Sequence, residues 1–287
     1  MQAPRQKLLS TGRRAARRAL YLVAASLFAV RYLTDASLFR CSQILMGRSL
    51  NSLIRNIRSR VRLLLQADKP VARHDSCVAG SRIQLYGNTS EDRYPEIFAK
   101  AVELATRDVD LSKPLRVLSF GCSTGQEAYS LEERYFSTDR DVKIIGLDIN
   151  PDAVELAREH NRAPGRIEFF VSSDRELARH GPYDLIFAMS VLCVWPETAA
   201  VDDISPFMTF EQFEKHLKNL DAHLRPGGHL VIYNASFCFS DSRVAVNYEP
   251  ILIEGQSDSG FVRKFDARNR SRGEDFTYPY VIFRKLR

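Results

Sequence analysis

The sequence predicts an α/β fold in which helices cover both faces of a doubly wound, mostly parallel sheet of seven strands. Two observations support this prediction. Short apolar segments alternate with segments of helical periodicity through residues 93–235. Two strand-like runs, residues 244–253 and 276–283, follow with no convincing helix between them and predict a C-terminal antiparallel pair. Upstream, residues 43–66 carry an apolar stripe among arginines, which predicts a basic helical N-terminal extension.

The parallel part of the sheet needs five strands, and each candidate is a short apolar segment bounded by turn residues. The expected strands are residues 115–120, 142–148, 167–171, 184–189 and 229–235. Helices are predicted where apolar residues recur at three- and four-residue steps. The expected helices are residues 94–109, 126–136, 151–161 and 210–224. Right-handed crossovers then place the carboxyl ends of the parallel strands, where ligands bind in such sheets, along one edge.

Charge and pattern divide the chain into a basic helical extension (1–66), a linker or entry segment (67–92) and an α/β domain (93–287). Residues 1–63 contain thirteen Lys and Arg against a single acid, Asp35, whereas the net charge of all 287 residues is only +6. The rest of the chain is therefore acidic overall. A basic block of this size predicts an anionic partner, and both a membrane surface and a nucleic acid fit that description.

The composition, with 45% hydrophobic and 26% charged residues, excludes a disordered chain, a collagen-like fibre and a disulfide-stapled miniprotein. The five cysteines contain no Cys-x-x-Cys pair, so we expect reduced thiols in a cytoplasmic protein. The uncharged run at residues 19–30 is shorter than the roughly 20 residues of a membrane-spanning helix. The stripe at residues 43–66 suits either a helix that lies on anionic lipid or one that packs on the main domain. Peripheral attachment to a membrane is thus compatible with the predicted cytoplasmic location.

A glycine-containing loop, Gly121-Cys-Ser-Thr-Gly125, connects the first predicted strand to a helix. Glycine allows a sharp turn and the close approach of a ligand, and the helix start offers unpaired N–H groups. Asp148 ends the second strand, 23 residues after Gly125, which is close to the spacing of carboxylates that accept hydrogen bonds from ribose hydroxyls. The sequence therefore predicts a site for a nucleotide-like ligand. The alternative for Asp148 is a helix cap or a loop acid.

Four segments in this order resemble class I S-adenosylmethionine-dependent methyltransferases. They are VLSFGCSTGQEAYSL (117–131), IIGLDIN (144–150), YDLIFAMSV (183–191) and LRPGGHLVIY (224–233). The loop followed by Gln126-Glu127 is similar to the variant of the chemotaxis-receptor methyltransferases. The resemblance covers residues 93–287 and implies a Rossmann-like methyltransferase fold with S-adenosylmethionine as cofactor. It leaves the methyl acceptor open between a small molecule, a lipid-linked compound and a protein carboxylate.

The resemblance also implies cofactor contacts. The loop under the methionine part of the cofactor would comprise Gly121, Cys122, Ser123 and Gly125. Asp148 would hold the ribose diol, with Ile149 against the adenine. Asp174 would bind the adenine amino group, although a loop acid is also commonplace. Ser123 departs from the family pattern because many members have glycine there.

Residues after the fourth and fifth strands complete the implied site. Met189 and Ser190 would close over the cofactor. Trp195, Tyr233 and Asn234 lie where acceptors dock and are weaker candidates for substrate contacts, because rim residues of these types are also ordinary. No general base can be assigned, and the histidines show no paired metal spacing, so no metal site is expected.

Two other functions share parts of this pattern. A non-catalytic module with a methyltransferase-like fold would bind the cofactor or a partner without turnover. A nicotinamide-dependent oxidoreductase would share the strand, loop and acid, but residues after Gly125 lack the third glycine of G-x-G-x-x-G. The segment after the fourth strand also lacks an Asn/Asp-Pro-Pro-Tyr run and a Pro-Cys pair. These absences disfavour methylation of an adenine or glutamine amino group, and of cytosine C5.

Overall fold

A computed structural model describes residues 89–107, 113–136 and 141–287. The predicted basic extension, residues 1–66, and most of the predicted entry segment lie outside the described residues. Every helix in the described part of the chain falls short of the length and apolar character that a membrane span requires.

Helices and strands alternate along the described residues before a terminal pair of strands. The helices are α1 (Pro95–Arg107), α2 (Gln126–Ser130), α3 (Pro151–Glu159), α4 (Asp174–His180) and α5 (Phe210–His223). The strands are β1 (Leu115–Phe120), β2 (Val142–Asp148), β3 (Ile167–Val171), β4 (Tyr183–Met189), β5 (Leu224–Tyr233), β6 (Tyr248–Ile251) and β7 (Ile282–Lys285). The strands β1, β2 and β3 have the predicted bounds.

The strands form one sheet of seven in the order β3-β2-β1-β4-β5-β7-β6. The pairs from β3 through β5 are parallel, whereas β7 runs antiparallel to both β5 and β6. This confirms the predicted doubly wound sheet with an antiparallel C-terminal pair. The strand order reverses between β1 and β4, so a crevice opens there beyond the carboxyl ends of the strands.

Both faces of the sheet are covered, as a parallel sheet requires. Ile186 and Ala188 of β4 belong to a core shared with α4 and α5, while Leu185 and Phe187 face the core under α1 and α3. All seven residues of β4 are buried. Because the central strands are fixed from both sides, the loops at their carboxyl ends start from rigid positions.

The helix α4 was not predicted, and its cause is local. The Ser173 side chain accepts a hydrogen bond from the backbone N–H of Glu176 and caps the helix. Only Leu177 is buried in its seven residues, so the segment lacks the apolar periodicity on which the prediction depended. Capping thus sets the helix where periodicity gives no signal.

Other boundaries also differ from the prediction. The expected helix 126–136 is a short α-helix continued by a π-helical turn, Leu131–Tyr135. Strand β5 begins at Leu224, earlier than predicted, and its pairing with β4 shifts register between Tyr183 and Leu185. It ends at Tyr233 because Asn234 turns into a left-handed conformation, with φ of 54°.

Candidate functional site

The loop after β1 turns through three residues with positive φ: Gly121 (76°), Ser123 (50°) and Gly125 (91°). A Cβ atom on Gly121 would lie 2.4 Å from Cγ2 of Val191, which follows β4. Glycine is therefore required here by its backbone angle and by the close approach of the segment after β4. The loop is held between β1 and β4, at the point where the strand order reverses.

Asp148 lies half-buried at the end of β2, and its carboxylate joins two loops. Oδ2 accepts a hydrogen bond from the backbone N–H of Ser123 at 2.7 Å, and Oδ1 accepts one from the N–H of Asn150 at 2.8 Å. A carboxylate can accept about four hydrogen bonds, so both oxygens retain capacity for a ligand. The helix cap considered for Asp148 is supplied instead by Asn150, whose side chain accepts from the N–H of Asp152 at 3.1 Å.

The side chain of Cys122 points into the core, so this residue can meet a ligand through its backbone alone. Cys122 is 2% exposed, and burial raises the pKa of its thiol well above the usual range, with the charges of Asp148 and Glu127 adding to the effect. Burial also raises the pKa of Cys193 to about 12. Burial therefore favours the protonated thiol at both positions and disfavours a thiolate nucleophile there.

Glu127 is a carboxyl group at the loop for which the sequence prediction assigned no role. It lies in the first turn of α2 and is 9% exposed, and its Oε1 accepts a hydrogen bond from the Ser119 hydroxyl at 2.7 Å. Burial raises the pKa of Glu127 to about 7, against the opposing effects of the Ser119 hydrogen bond and the positive charge of Arg93. An acid buried this close to a ligand-type loop is a candidate partner for a cationic group.

The carboxyl ends of β4 and β5 are joined by a hydrogen-bonded trio. Asn234 Nδ2 donates to Ser190 Oγ at 3.0 Å and to Tyr94 Oη at 3.2 Å, and the two hydroxyl oxygens lie 3.2 Å apart. Asn234 Oδ1 accepts from the N–H of Phe261 at 3.0 Å, which fixes the orientation of the amide. Ser190 (58°) and Asn234 (54°) both have positive φ, a conformation that costs an ordinary L residue about 1–2 kcal/mol. Asparagine adopts this conformation more readily than serine, so the strain falls mainly on Ser190.

Tyr94 reaches this trio from the segment that leads into α1. Asp92, with φ of 49°, anchors the segment: its N–H donates to Ser130 Oγ at 2.8 Å, and its carboxylate accepts from the Tyr135 hydroxyl. The Tyr94 ring packs on Tyr233 with ring centroids 4.6 Å apart. The Arg93 guanidinium carbon lies 5.2 Å from the Tyr94 ring centroid. Residues 92–94 thus bring a hydroxyl and a cation to the ends of β4 and β5.

The remaining predicted residues are distributed along the same edge. Ile149 is half-buried beside Asp148, and Met189 is buried in the core. Trp195 is half-buried and packs edge-on against Phe261, with ring centroids 5.3 Å apart. Asp174 is exposed in the first turn of α4, and its Oδ1 accepts from Asn219 Nδ2 of α5 at 2.7 Å.

Sequence reasoning assigned no role to Glu127, Arg93 or Tyr94, although each had a signal. Glu127 follows a ligand-type loop directly, in the first turn of a helix. Arg93 and Tyr94 come just before α1, whose apolar face packs on the sheet. Residues 89–107, 113–136 and 141–287 contain no group of three or more His, Cys, Asp or Glu side chains that could hold a metal ion.

Comparison with known proteins agrees with this arrangement of sheet and loop. Residues 111–257, just over half of the chain, match the model of a methyltransferase domain. The chain belongs to this methyltransferase-domain family, and its sheet is that of the class I methyltransferases, as the motifs predicted. The narrower similarity of the loop to chemotaxis-receptor methyltransferases stays a prediction.

Two curated proteins are similar to parts of the chain. A tRNA N(3)-methylcytidine methyltransferase of Schizosaccharomyces pombe is 26% identical over 155 residues, which is 53% of this chain and 56% of that protein. A trans-aconitate 2-methyltransferase of Azoarcus sp. is 29% identical over 148 residues, half of each chain. The chain spans about half the length of these relatives. Among solved structures, TrmN from Thermus thermophilus is similar at 18% identity and a TM-score of 0.38, over 66% of this chain and 48% of that one.

Proposed function

We propose that the chain binds S-adenosylmethionine at the carboxyl ends of β1, β2 and β4 and transfers its methyl group to an acceptor near the ends of β4 and β5. The observation that carries the proposal is the pair of backbone N–H groups, from Ser123 and Asn150, that fix the Asp148 carboxylate beside the loop after β1. The free lone pairs on both oxygens suit a pair of adjacent ribose hydroxyls.

Glu127 supports the same ligand because the cofactor's methionine end carries an ammonium group and its sulfur is cationic. A buried acid with a pKa of about 7 is only partly ionised at neutral pH, and a bound cation that compensates for its lost hydration favours the ionised form. The proposed partner of Glu127 is the ammonium group. Binding would then lower the pKa of Glu127, and the cofactor's affinity would rise with pH up to about 7.

The protein's part in the reaction is to bind and orient the cofactor and the acceptor and to exclude water. The methyl sulfonium of the bound cofactor supplies an activated methyl group. The cofactor would be held at one end of the crevice by Asp148, Glu127 and the loop after β1. The neighbouring end of the crevice is formed by Tyr94, Ser190 and Asn234. Alignment of the acceptor with the methyl group can account for much of the rate enhancement. A general base is needed only if the acceptor must lose a proton.

Calorimetric titration of the full chain with S-adenosylmethionine tests the proposal. We expect micromolar binding that Asp148→Ala abolishes. Absence of binding to the unsubstituted chain would refute it. Binding without methyl transfer to any acceptor in an extract would favour the non-catalytic alternative. Stronger binding of a nicotinamide dinucleotide would favour the oxidoreductase.

The acceptors of the two relatives differ, since their names specify a cytidine nitrogen of tRNA and the small organic anion trans-aconitate. Those names alone do not decide which of the two kinds of acceptor, a nucleic-acid base or a small organic anion, this chain methylates. The acceptor must therefore be inferred from the residues at the ends of β4 and β5.

We also propose that the basic extension, residues 1–66, attaches this enzyme to an anionic membrane surface. Its excess of arginines and the apolar stripe of residues 43–66 support this location. Flotation with phosphatidylcholine vesicles, with and without phosphatidylserine, tests it on the full chain and on a chain that lacks residues 1–66. Flotation that requires both the anionic lipid and the extension supports the proposal. Equal flotation of the two chains contradicts it, and retention on RNA instead would indicate a nucleic-acid partner.

A further inference from the structure

The trio of Tyr94, Ser190 and Asn234 has one hydrogen-bond donor more than the protein uses. Asn234 donates one amide proton to each hydroxyl oxygen. The two hydroxyls carry two protons between them, and the hydrogen bond that joins them uses one. Within the described parts of the chain, neither side-chain hydroxyl has a further hydrogen-bond partner. One hydroxyl proton is therefore left to donate to a ligand.

The trio lies next to the proposed cofactor site, where a methyl acceptor would bind. Ser190 and Asn234 directly follow β4 and β5, next to the loop after β1 that is proposed to hold the cofactor. Val191, the residue after Ser190, lies against Gly121 of that loop. The spare hydroxyl proton thus lies on the β5 side of the crevice, away from Asp148. A group bound there would therefore neighbour the proposed cofactor site.

A spare donor discriminates between acceptor atoms. An oxygen atom of a carboxylate can accept this proton with one lone pair and attack the methyl carbon with another. A neutral amine nitrogen has a single lone pair, which would be consumed by the hydrogen bond. The trio therefore favours an oxygen acceptor over an amine.

The surroundings favour an oxygen that is already ionised. Among the described residues, the hydrogen-bond partners of the trio include no carboxylate and no imidazole to remove an acceptor's proton. The guanidinium of Arg93 lies against the Tyr94 ring, and its positive charge would favour an anion at this end of the crevice. Charge-assisted hydrogen bonds from hydroxyls to a carboxylate are also stronger than those to a neutral group.

We propose that Tyr94, with Ser190 and Asn234, binds a carboxylate as the methyl acceptor, so that the product is a methyl ester. The electron pair of a carboxylate oxygen forms the new O–C bond, and the S–C bond breaks with its electron pair remaining on sulfur. No proton is transferred, and the charges of carboxylate and sulfonium cancel. The inference rests on the proposed methyltransferase function and specifies its substrate class.

The chemical lability of the product tests the substrate class. The full chain is incubated with S-adenosylmethionine tritiated in its methyl group and with an extract of the organism that encodes the chain. Alkali hydrolyses methyl esters to volatile methanol, whereas methylated amines and methyl ethers are stable. We expect labelled methanol to be released by alkali. Alkali-stable label alone, or no labelled acceptor although calorimetry detects cofactor binding, overturns the carboxylate proposal and leaves cofactor binding intact. Absence of cofactor binding overturns the proposed function itself.

Tyr94→Phe tests the hydroxyl, since it keeps the ring that packs on Tyr233. We expect the rate of ester formation to fall about ten- to a hundredfold, while the affinity for S-adenosylmethionine changes less than about threefold. Tyr280→Phe is the matched control, because the half-buried Tyr280 hydroxyl has no hydrogen bond in the described parts of the chain. Ser190→Ala provides a second variant if Tyr94→Phe does not fold. The role of the hydroxyls is overturned if Tyr94→Phe and Ser190→Ala both leave the rate of ester formation unchanged. It is also overturned if they reduce the affinity for S-adenosylmethionine as much as they reduce that rate.

Discussion

The two halves of the crevice are built from different chemistry. At the ends of β1 and β2, two carboxyl groups, Asp148 and Glu127, lie beside a loop of positive φ angles. At the ends of β4 and β5, neutral hydroxyls and an amide form a closed hydrogen-bonded trio. The first half suits the proposed cofactor, a cation with adjacent hydroxyls, whereas the second has a donor that suits the proposed oxygen acceptor. The comparison suggests that cofactor and acceptor are recognised separately, so substitutions in one half should leave the other half's ligand bound.

Asp148→Asn should produce the largest effect. The substitution keeps the size of the side chain but replaces one accepting oxygen with a donor that faces the N–H of Ser123 or Asn150. We expect a loss of S-adenosylmethionine affinity of a hundredfold or more, measured by calorimetry, which corresponds to about 3 kcal/mol.

Glu168→Gln is the control for Asp148→Asn, since this exposed carboxylate lies on the neighbouring strand β3. It should bind the cofactor normally. An affinity within threefold of the unsubstituted chain for Asp148→Asn would contradict the assignment of the first half as the cofactor site.

Glu127→Gln should weaken the binding of the cofactor and stabilise the folded protein. We expect a loss of cofactor affinity of about ten- to thirtyfold at pH 8, because the ammonium loses its carboxylate. The folded pKa of about 7 lies above the ordinary 4.5, so the acid destabilises the folded state increasingly as pH rises from 4.5 to 7 and by a constant amount above pH 7. The substitution should therefore raise the free energy of unfolding by about 1–3 kcal/mol at pH 8 and by little at pH 4.5.

Urea denaturation of both chains at several pH values measures this difference. The unsubstituted chain serves as its own reference at low pH, where Glu127 is neutral in both states. A stabilisation that does not depend on pH would show that Glu127 ionises in the folded protein as an exposed glutamate does.

The first half could be predicted from the sequence except for Glu127, and the second largely could not. Gly121, Gly125 and Asp148 are consecutive signals at strand ends, where spacing along the chain reflects position in space. Tyr94, Ser190 and Asn234 are separated by up to 140 residues and meet only through the strand order and the anchor at Asp92. Ser190 and Asn234 were predicted singly, but their hydrogen bond to each other and to Tyr94 depends on tertiary contacts that no local pattern specifies.

Secondary structure shows the same contrast. The bounds of β1, β2 and β3 were predicted correctly because each is a short, largely apolar segment that turn residues separate from its neighbours. The helix α4 was missed because a capping hydrogen bond and one buried leucine define it. Local signals that do not involve an apolar face therefore escape prediction from periodicity.

Gly260→Ala should affect the second half alone. A Cβ at Gly260 would lie 1.9 Å from Asn234 Oδ1, and its φ of 118° is unfavourable for any side chain. Gly255→Ala is a matched control, because Gly255 also has positive φ (81°) but no atom within 4 Å of an added Cβ. We expect Gly260→Ala to cost about 1–2 kcal/mol more in unfolding free energy than Gly255→Ala, and to reduce methyl transfer more than cofactor affinity. Equal costs would show that Asn234 moves freely and that the trio is not rigid.

Asp174→Ala should have the smallest effect and separates two roles for this acid. The family resemblance implies a hydrogen bond from the adenine amino group, whereas the structure gives its exposed carboxylate a partner in Asn219 of α5. An exposed hydrogen bond contributes little, so we expect the cofactor affinity to fall less than threefold. Asn219→Ala removes the same contact without touching the acid and should match it. If Asp174→Ala instead weakens binding tenfold while Asn219→Ala does not, Asp174 contacts the adenine directly. The first half of the crevice then extends across β3 to α4.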